Sequence, residues 1–534
     1  MKKWILRVTG ALVTAIVILG LLAFATLRAS LPQLDGEVGV DGLTAAASIE
    51  RDADGIATIT APTRGAVAYA TGFAHAQDRF FQMDLIRRQS AGELSEILGE
   101  STVDYDRRIR LHRFRARSGQ AAKSLPDRDR HLLERYAAGV NAGIERLGAK
   151  PFEYYLLGVE PEPWLPEDTV LVAYTMWLML NDERADRDLK RGLAHRVLPT
   201  EVFDFMYPEG TPWDAPLMGE PREETRIPSP DLVSLRDVDQ QAPSAREVGK
   251  PDLPGSNNWA VSGALTDSGA AMVSNDMHLG LRVPGVWYQA RLIVSGAEPR
   301  DVTGVTLPGT PFIIGGSNTR IAWGNTNSYG DWSDAVVLRP GTEPGTYRAG
   351  DADLPFDEHV ERIEVLGGDA VEITVRETIW GPVHDSFDYP DGEVAISWTA
   401  HELDALNLNL AELETATSVA DALEIANRLG GPPQNFVVGD SAGNIGWTIA
   451  GRIPIRSGYE PFLPADWSNG AGWHGWVDAS GYPRVINPES GRIWTANARV
   501  ADGEALRIIG DSGYDLGARA RQIRDALLAK DRFD

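Results

Sequence analysis

The chain has 534 residues, 43% of them hydrophobic and 24% charged, and it contains no cysteine. That removes disulfides, thiolate nucleophiles and thiolate-ligated zinc, though it does not place the chain in the cytoplasm. A formal net charge of −25 argues against a nucleic-acid partner, whose phosphates demand a basic face.

Lys2, Lys3 and Arg7 precede an almost uncharged run from Val8 to Leu27. Such a run, about 20 residues, is long enough to cross a bilayer. Ala23-Phe24-Ala25 offers a small-residue cleavage site, so residues 1–29 read either as a signal peptide or as an uncleaved anchor; Arg28, directly after the run, favours the anchor. Both readings export the body of the chain, to the periplasm or to the periplasmic face of the inner membrane.

Next, Asp52-Ala53-Asp54-Gly55 predicts a turn within residues 49–61 that leads into β structure. From Arg64 to Gly99 apolar residues recur at three- and four-residue spacing, which predicts helix. Further helices are expected over 126–147, on the stripe Leu132, Leu133, Tyr136, Val140 and Ile144, and over 167–196. Residues 30–211 thus form a mainly helical half. From Pro212 to Pro254 the chain is dense in Pro, Asp, Glu, Ser and Gln and holds few large apolar groups. It cannot bury enough surface to offset ordering, so 212–255 is expected to be a spacer. After it come short β-like runs such as NNWAVSG, VWYQARLIV and RIAWGNT, with helix at 415–429 and again from Ala518. The class expected is α+β. A helical half, a disposable spacer and a β-rich half suggest a precursor cut into two chains.

Two serines invite nucleophilic chemistry. Gly439-Asp440-Ser441-Ala442-Gly443 matches G-x-S-x-G, but that elbow needs a following helix, and residues 444–450 alternate like a strand. Ser441 is therefore expected on a hairpin turn. Ser256 is different, because Leu253-Pro254-Gly255-Ser256 puts Gly-Ser where the spacer meets a strand. A hydroxyl attacking the preceding carbonyl converts the peptide to an ester, which water opens; glycine leaves that carbonyl uncrowded. The serine released would carry an α-amine, which titrates near 7.7–8.0 and can accept the hydroxyl proton. Nine histidines are scattered with none at helical i, i+4 ligand spacing, and no P-loop or Rossmann fingerprint is present.

The run SNNWAVSGALTDSGAAMVSNDMHLGLRVPGVWYQARL, residues 256–292, resembles the start of the mature β chain in penicillin acylases and their relatives, with Ser-Asn-x-Trp at the new terminus and Asn-Asp-x-His-Leu after it. RDADGIATI, GFAHAQDRFFQMDLIRRQSAGELSEILG (72–99), IAWGNTN (321–327), GNIGW (443–447) and Asn487-Pro488-x-Ser490-Gly491 follow in that family's order. The resemblance implies an N-terminal-nucleophile hydrolase, a four-layer αββα sandwich that hydrolyses a linear amide of a small molecule such as a penicillin, a cephalosporin or an acyl-homoserine lactone. It implies roles for five residues. Ser256 would be nucleophile and, through its amine, base. His278 would orient or tune it, the Asn327 N–H and the Asn497 side chain would hold the oxyanion, and Arg519 would organise the amine and Asn497, with Arg521 the register alternative. The α and β fragments would remain partners after cleavage.

The resemblance also implies one structural calcium. Its ligands would be the carboxylates of Asp331 and Asp334, the carbonyls of Ser333 and Pro461, and an α-half carboxylate, Asp188 in preference to Glu183; Asp511 is the nearest match to a remaining family aspartate. Oxygen donors of this kind suit calcium. Family β chains continue past the matched arginine, so the catalytic half 256–534 is expected to be C-terminally short. The rival reading is an anchored, inactive acylase-like binding protein whose precursor stays intact.

Overall fold

A computed structural model describes residues 1–233, 255–385, 387 and 389–534. The helix Lys2–Ala29 is long and apolar enough to cross a membrane, and none of its residues is buried. That suits a signal and an anchor alike.

Strands Ser48–Arg51 and Ala57–Ala61 pair about a turn in which Gly55 adopts φ +80, a conformation that strains other residues. They form one edge of a nine-stranded sheet that continues through Tyr288–Val294, Arg300–Thr306, Gly315–Ser317, Ile321–Asn327, Gln434–Asp440, Ile445–Ala450 and Arg484–Ile486. The pairing of Ala57–Ala61 with Tyr288–Val294 is parallel and knits the two halves of the chain together. A smaller antiparallel sheet holds Arg492–Thr495, Gly255–Val261 and Met272–His278 in that order.

Side-chain alternation along the strands decides the layering. Val437 points inward with Ile445, Trp447, Ile449, Ala260 and Ile493 to fill the space between the two sheets. Its neighbours Phe436 and Val438 face the other way, onto helices Arg64–Ala91 and Val419–Ala426 through Ala66, Val67, Ala70, Val419 and Leu423. On the far side, helix Ala518–Leu528 covers the small sheet with Ala520 and Leu527 against Val261 and Trp494. The order is helix, sheet, sheet, helix: an αββα sandwich of the α+β class.

Helix Arg64–Ala91 starts where Thr63 Oγ1 accepts from Ala66 N (3.2 Å) and ends at Gly92 in the left-handed region, φ +66. It lies so close to helix Asp127–Glu145 that a Cβ on Gly72 or Gly139 would collide with the partner's backbone. The helical run expected to Gly99 resumes only as the short helix Ser95–Leu98, and helices Val103–Arg110 and Phe114–Ser124 follow it.

Two expectations need correction. The run 167–196 is two helices, Pro166–Leu180 and Asp186–Val197. Between them Ala185 takes φ +51, and the Asp182 carboxylate caps the second helix by accepting from Asp186 N and Arg187 N (3.2 and 2.8 Å). Residues 212–222, read as the start of the spacer, pack against the body. Asp214 is buried in an ion pair with Arg499 (2.9 Å), Trp494 Nε1 donates to Ala215 O (2.8 Å), and Leu217 N donates to Val500 O (2.9 Å). Most of the remaining spacer, 234–254, lies outside the described residues.

Candidate active site

Ser256 is the second residue of the central strand of the small sheet, opposite Met277, and it is only 5% exposed. Its backbone nitrogen donates to Asn497 Oδ1 (2.8 Å). This nitrogen would become the α-amine if the Gly255–Ser256 bond were cut. Arg519 donates to Asn497 Oδ1 (2.9 Å), to Ser256 O (3.1 Å) and to Asn257 Oδ1 (2.8 Å), and it is held by Asp515 (2.8 Å). Because guanidinium only donates, these contacts fix which side of the Asn497 amide is oxygen. Its Nδ2 must then face Asn327 O, to which it donates at 3.0 Å.

Asn497 is fully buried at φ +64, a left-handed conformation that asparagine tolerates better than most residues. Asn327 ends the strand Ile321–Asn327, and its own side chain donates to Leu180 O (2.8 Å), tying the site to the helical half. Arg521, the register alternative, points away and donates to Pro212 O (3.0 Å). Residues two apart on a helix face different ways, and only Arg519 reaches the site.

His278 ends the strand Met272–His278 directly opposite Gly255. Its Nδ1 lies 3.1 Å from Asp276 O, and since a carbonyl only accepts, Nδ1 carries the proton and a neutral ring keeps its lone pair on Nε2. A Cβ on residue 255 would collide with that Nε2. The imidazole therefore sits over the glycine side of the Gly255–Ser256 junction, half exposed. Asn275, not singled out by itself in the sequence, bridges the two sheets. It donates to Asn257 O and Asn325 O (3.0 and 2.9 Å) and accepts from Asn325 N (3.1 Å). Asp515 was missed as well, since it precedes helix Ala518–Leu528 in a bridge with Ala498 that no local spacing announces.

Ser441 has no part in this. It is exposed on the hairpin between Gln434–Asp440 and Ile445–Ala450, where Asp440 Oδ1 accepts from Ala442 N and Asn444 N (3.0 and 2.9 Å).

Beside Ser256 opens a cavity of about 160 Å³. Ser256, Asn325, Asn327 and Gln434 supply polar groups, while Met176, Leu279, Trp287, Phe312, Leu408 and Leu410 are among the apolar side chains around it. Both halves contribute. On the order of ten water-sized groups fit, at about 10–15 Å³ each on this measure.

The residues expected to hold calcium divide. Asp188, Asp331 and Asp334 are buried together, and burial, with the repulsion of neighbouring carboxylates for Asp188 and Asp331, pushes their carboxyl groups up. Asp331 Oδ2 and Asp334 Oδ1 are buried without a hydrogen-bond partner. Buried Arg456 stands among them, its Nε 3.7 Å from Asp331 and 3.3 Å from Asp334, and it also donates to Asp331 O. Among the described residues no three such side chains are gathered at ligating distance. Arg191 adds a second positive charge, felt by Asp188 and Asp331. The donor chemistry nevertheless fits a hard divalent cation, since three buried carboxylates meet there and two of their oxygens remain unsatisfied. Glu183 is instead 3.8 Å from Arg108, and Asp511 pairs with Arg191 (3.3 Å). Ser333 opens the strand Ser333–Val337, and its Oγ donates to Asp182 O (2.7 Å). Pro461 lies two residues beyond Tyr459, whose phenol burial and then the Asp334 charge push up.

Known proteins share this arrangement of sequence. The family profile described as Penicillin amidase matches residues 46–534. The chain is 32% identical to the penicillin acylase 2 proenzyme of Pseudomonas sp. (strain SE83), over 95% of this chain and 65% of that protein. It is 28% identical to the acyl-homoserine lactone acylase QuiP of Pseudomonas aeruginosa, over 88% of this chain and 57% of that protein. With penicillin G acylase of Escherichia coli it shares 26% identity, over 83% of this chain and 58% of that protein. The chain thus spans about three fifths of the length of these relatives.

Proposed function

The chain belongs to the penicillin amidase family, and on that premise we propose that it is an exported amidohydrolase that cuts itself before Ser256 and then hydrolyses linear amides with an apolar acyl group. One observation carries the reading. Ser256 stands beside an apolar cavity with its nitrogen already held by Asn497 Oδ1, to which Arg519 also donates.

In the precursor, Ser256 Oγ would attack the Gly255 carbonyl, the nitrogen would leave as an amine, and water would open the resulting ester. The fragments up to Gly255 and from Ser256 would stay together, because the parallel strand pair and the Asn327–Leu180 contact join them. In turnover, Ser256 Oγ would attack the substrate carbonyl while its α-amine takes the hydroxyl proton and passes it to the leaving amine. Asn497 Oδ1 would orient the amine, and Nδ2 with the Asn327 N–H would stabilise the oxyanion. Water then releases the acid. His278, over the scissile junction, would orient or tune the serine. The N-terminal helix would deliver the body to the periplasm or keep it on the periplasmic face of the inner membrane.

The relatives act on amides whose names span penicillins and acyl-homoserine lactones. The cavity favours acyl groups that can fill it, with the polar amine part left outside. Burying one methylene contributes about 0.8 kcal/mol, about fourfold in binding. In a series of straight-chain acyl amides assayed by amine release, kcat/KM should therefore rise severalfold per added carbon until the cavity is full. A series that is flat or falls from acetyl upward would contradict an acyl role for the cavity.

Calcium would bind through Asp331 and Asp334, with Asp188 and the carbonyls of Ser333 and Pro461, and would supply charge compensation rather than chemistry. A ligand that binds only the native state stabilises it by about 2.7 kcal/mol at a hundredfold excess over Kd. Chelator should lower Tm and added calcium restore it. An unchanged Tm would mean that Arg456 and Arg191 balance the site without a metal.

A further inference from the structure

The N-terminal apolar helix ends in contact with the body rather than on a linker. Ala149 N donates to Ala29 O (3.1 Å), and a Cβ on Gly148 would touch Ala29. Just beyond, Ser30, Leu31 and Pro32 share the wall of a wide surface cavity with Phe81, Phe152 and Val283.

Asp78, Arg79, Glu153 and Arg282 also line this wall, and exposed apolar side chains stand among them. Leu281 and Val283 are fully exposed, and Leu31 and Leu156 are 62% and 78% exposed. Leu31 and Val283 line the cavity, while Leu281 and Leu156 neighbour its lining residues Val283 and Phe152 in sequence. Isolated exposed apolar side chains are ordinary, but several gathered on one face mark an interaction surface. The loop bearing Leu281 and Val283 is exposed from 280 to 285 and is pinned by Arg79 and Gln82, which both donate to Gly285 O (3.0 Å each). Both ends of this loop border the cavity at Ser256, through Leu279 on one side and Trp287 on the other, and Trp287 Nε1 donates to Met277 O (3.1 Å). One loop thus has its tip beside the end of the membrane-length helix and its base against the acyl cavity.

Helix geometry then fixes how far the body stands from the lipid. The charge-free run Val8–Leu27 matches a hydrocarbon core of about 30 Å. At about 1.5 Å per residue, Ser30 lies only about 5 Å beyond that core, within the headgroup layer. A body that touches Ala29 cannot stand clear of the bilayer.

We propose that the 280–285 loop and the helix Phe152–Leu157 are immersed in the interfacial layer of the membrane that the N-terminal helix spans, and that acyl substrates enter the Ser256 cavity from the lipid side. The proposal rests on the helix being an uncleaved anchor and on the cavity taking the acyl group. With a net charge of −25, the attraction is apolar insertion, not pairing with anionic lipid, so zwitterionic vesicles suffice.

The chain has no cysteine, so Leu281→Cys gives a single site for an environment-sensitive fluorophore. In the full chain reconstituted into phosphatidylcholine vesicles, this label should be blue-shifted, quenched by brominated lipid and shielded from iodide. The same label on Ser441→Cys, on an exposed hairpin, should do the reverse. A label at 281 that is open to iodide and untouched by brominated lipid, in chains that resist alkaline extraction, overturns the proposal. Release of the chain by alkali overturns the anchor reading instead. A second variant, Leu281→Asp with Val283→Asp, tests delivery. In vesicles its kcat/KM on a membrane-partitioned long-acyl amide should fall about fifteenfold, as loss of apolar contact worth two methylenes would give, while a short soluble amide is cleaved as before. Equal loss on both substrates would show that the loop only shapes the cavity, and would contradict entry from the lipid.

Discussion

Ser256→Ala should leave one uncut chain and abolish amide hydrolysis. The serine would serve twice, since its hydroxyl opens the Gly255–Ser256 bond and later carries the acyl group. The other sequence candidate, Ser441, cannot replace it, because it is exposed on a hairpin turn. Loss of the nucleophile in a serine protease with a catalytic triad slows turnover about 10⁶-fold, and a loss of that order is expected here. Without cleavage there is also no α-amine to act as base. Gel analysis and an amine-release assay on any amide the parent cleaves would check both effects, with Ser441→Ala expected to behave as the parent. Residual turnover near the parent rate in uncut Ser256→Ala would remove Ser256 from the chemistry.

Asn497→Ala should lower kcat by about 10²–10³-fold, the usual cost of one oxyanion donor, about 2.7–4 kcal/mol, with little change in KM. The geometry adds a second role, because Asn497 Oδ1 also holds the Ser256 nitrogen and the Arg519 guanidinium. Asn497→Asp separates the two. It keeps an acceptor for both partners and loses the Nδ2 donor. If the donor dominates, fully processed Asn497→Asp should be as slow as Asn497→Ala. If orientation of the amine dominates, it should recover much of the rate. A parent-like kcat in both variants would take Asn497 out of the oxyanion hole. Arg519→Ala should be worse than either, since it frees Asn497, Asn257 and Asp515 together.

Much of this was legible in the residues because it is local. Apolar spacing located helices Arg64–Ala91 and Asp127–Glu145, and the hairpin about Asp440–Asn444 followed from turn chemistry. The junction at Ser256 stood out as a change of composition. What was hidden depends on tertiary contact. The break at Asn181–Ala185 has no glycine or proline to mark it; it rests on Ala185 in a conformation costly for a residue with a Cβ. Residues 212–222 read as spacer because they are polar and proline-rich, yet Asp214 finds buried Arg499 far along the chain. Arg456 among Asp331 and Asp334 is likewise a long-range meeting that no spacing announces. The cavity at Ser256 is assembled from many separate segments, so its apolar character could not be read from any one of them.

The central claim is that the chain makes its own catalytic terminus, and the parent protein tests it most directly. Intact-mass measurement and N-terminal sequencing of soluble, folded material should find a fragment beginning Ser-Asn-Asn-Trp, cut between Gly255 and Ser256. Only full-length precursor in such a sample would contradict the account, and would leave an acylase-like binding protein as the reading to pursue.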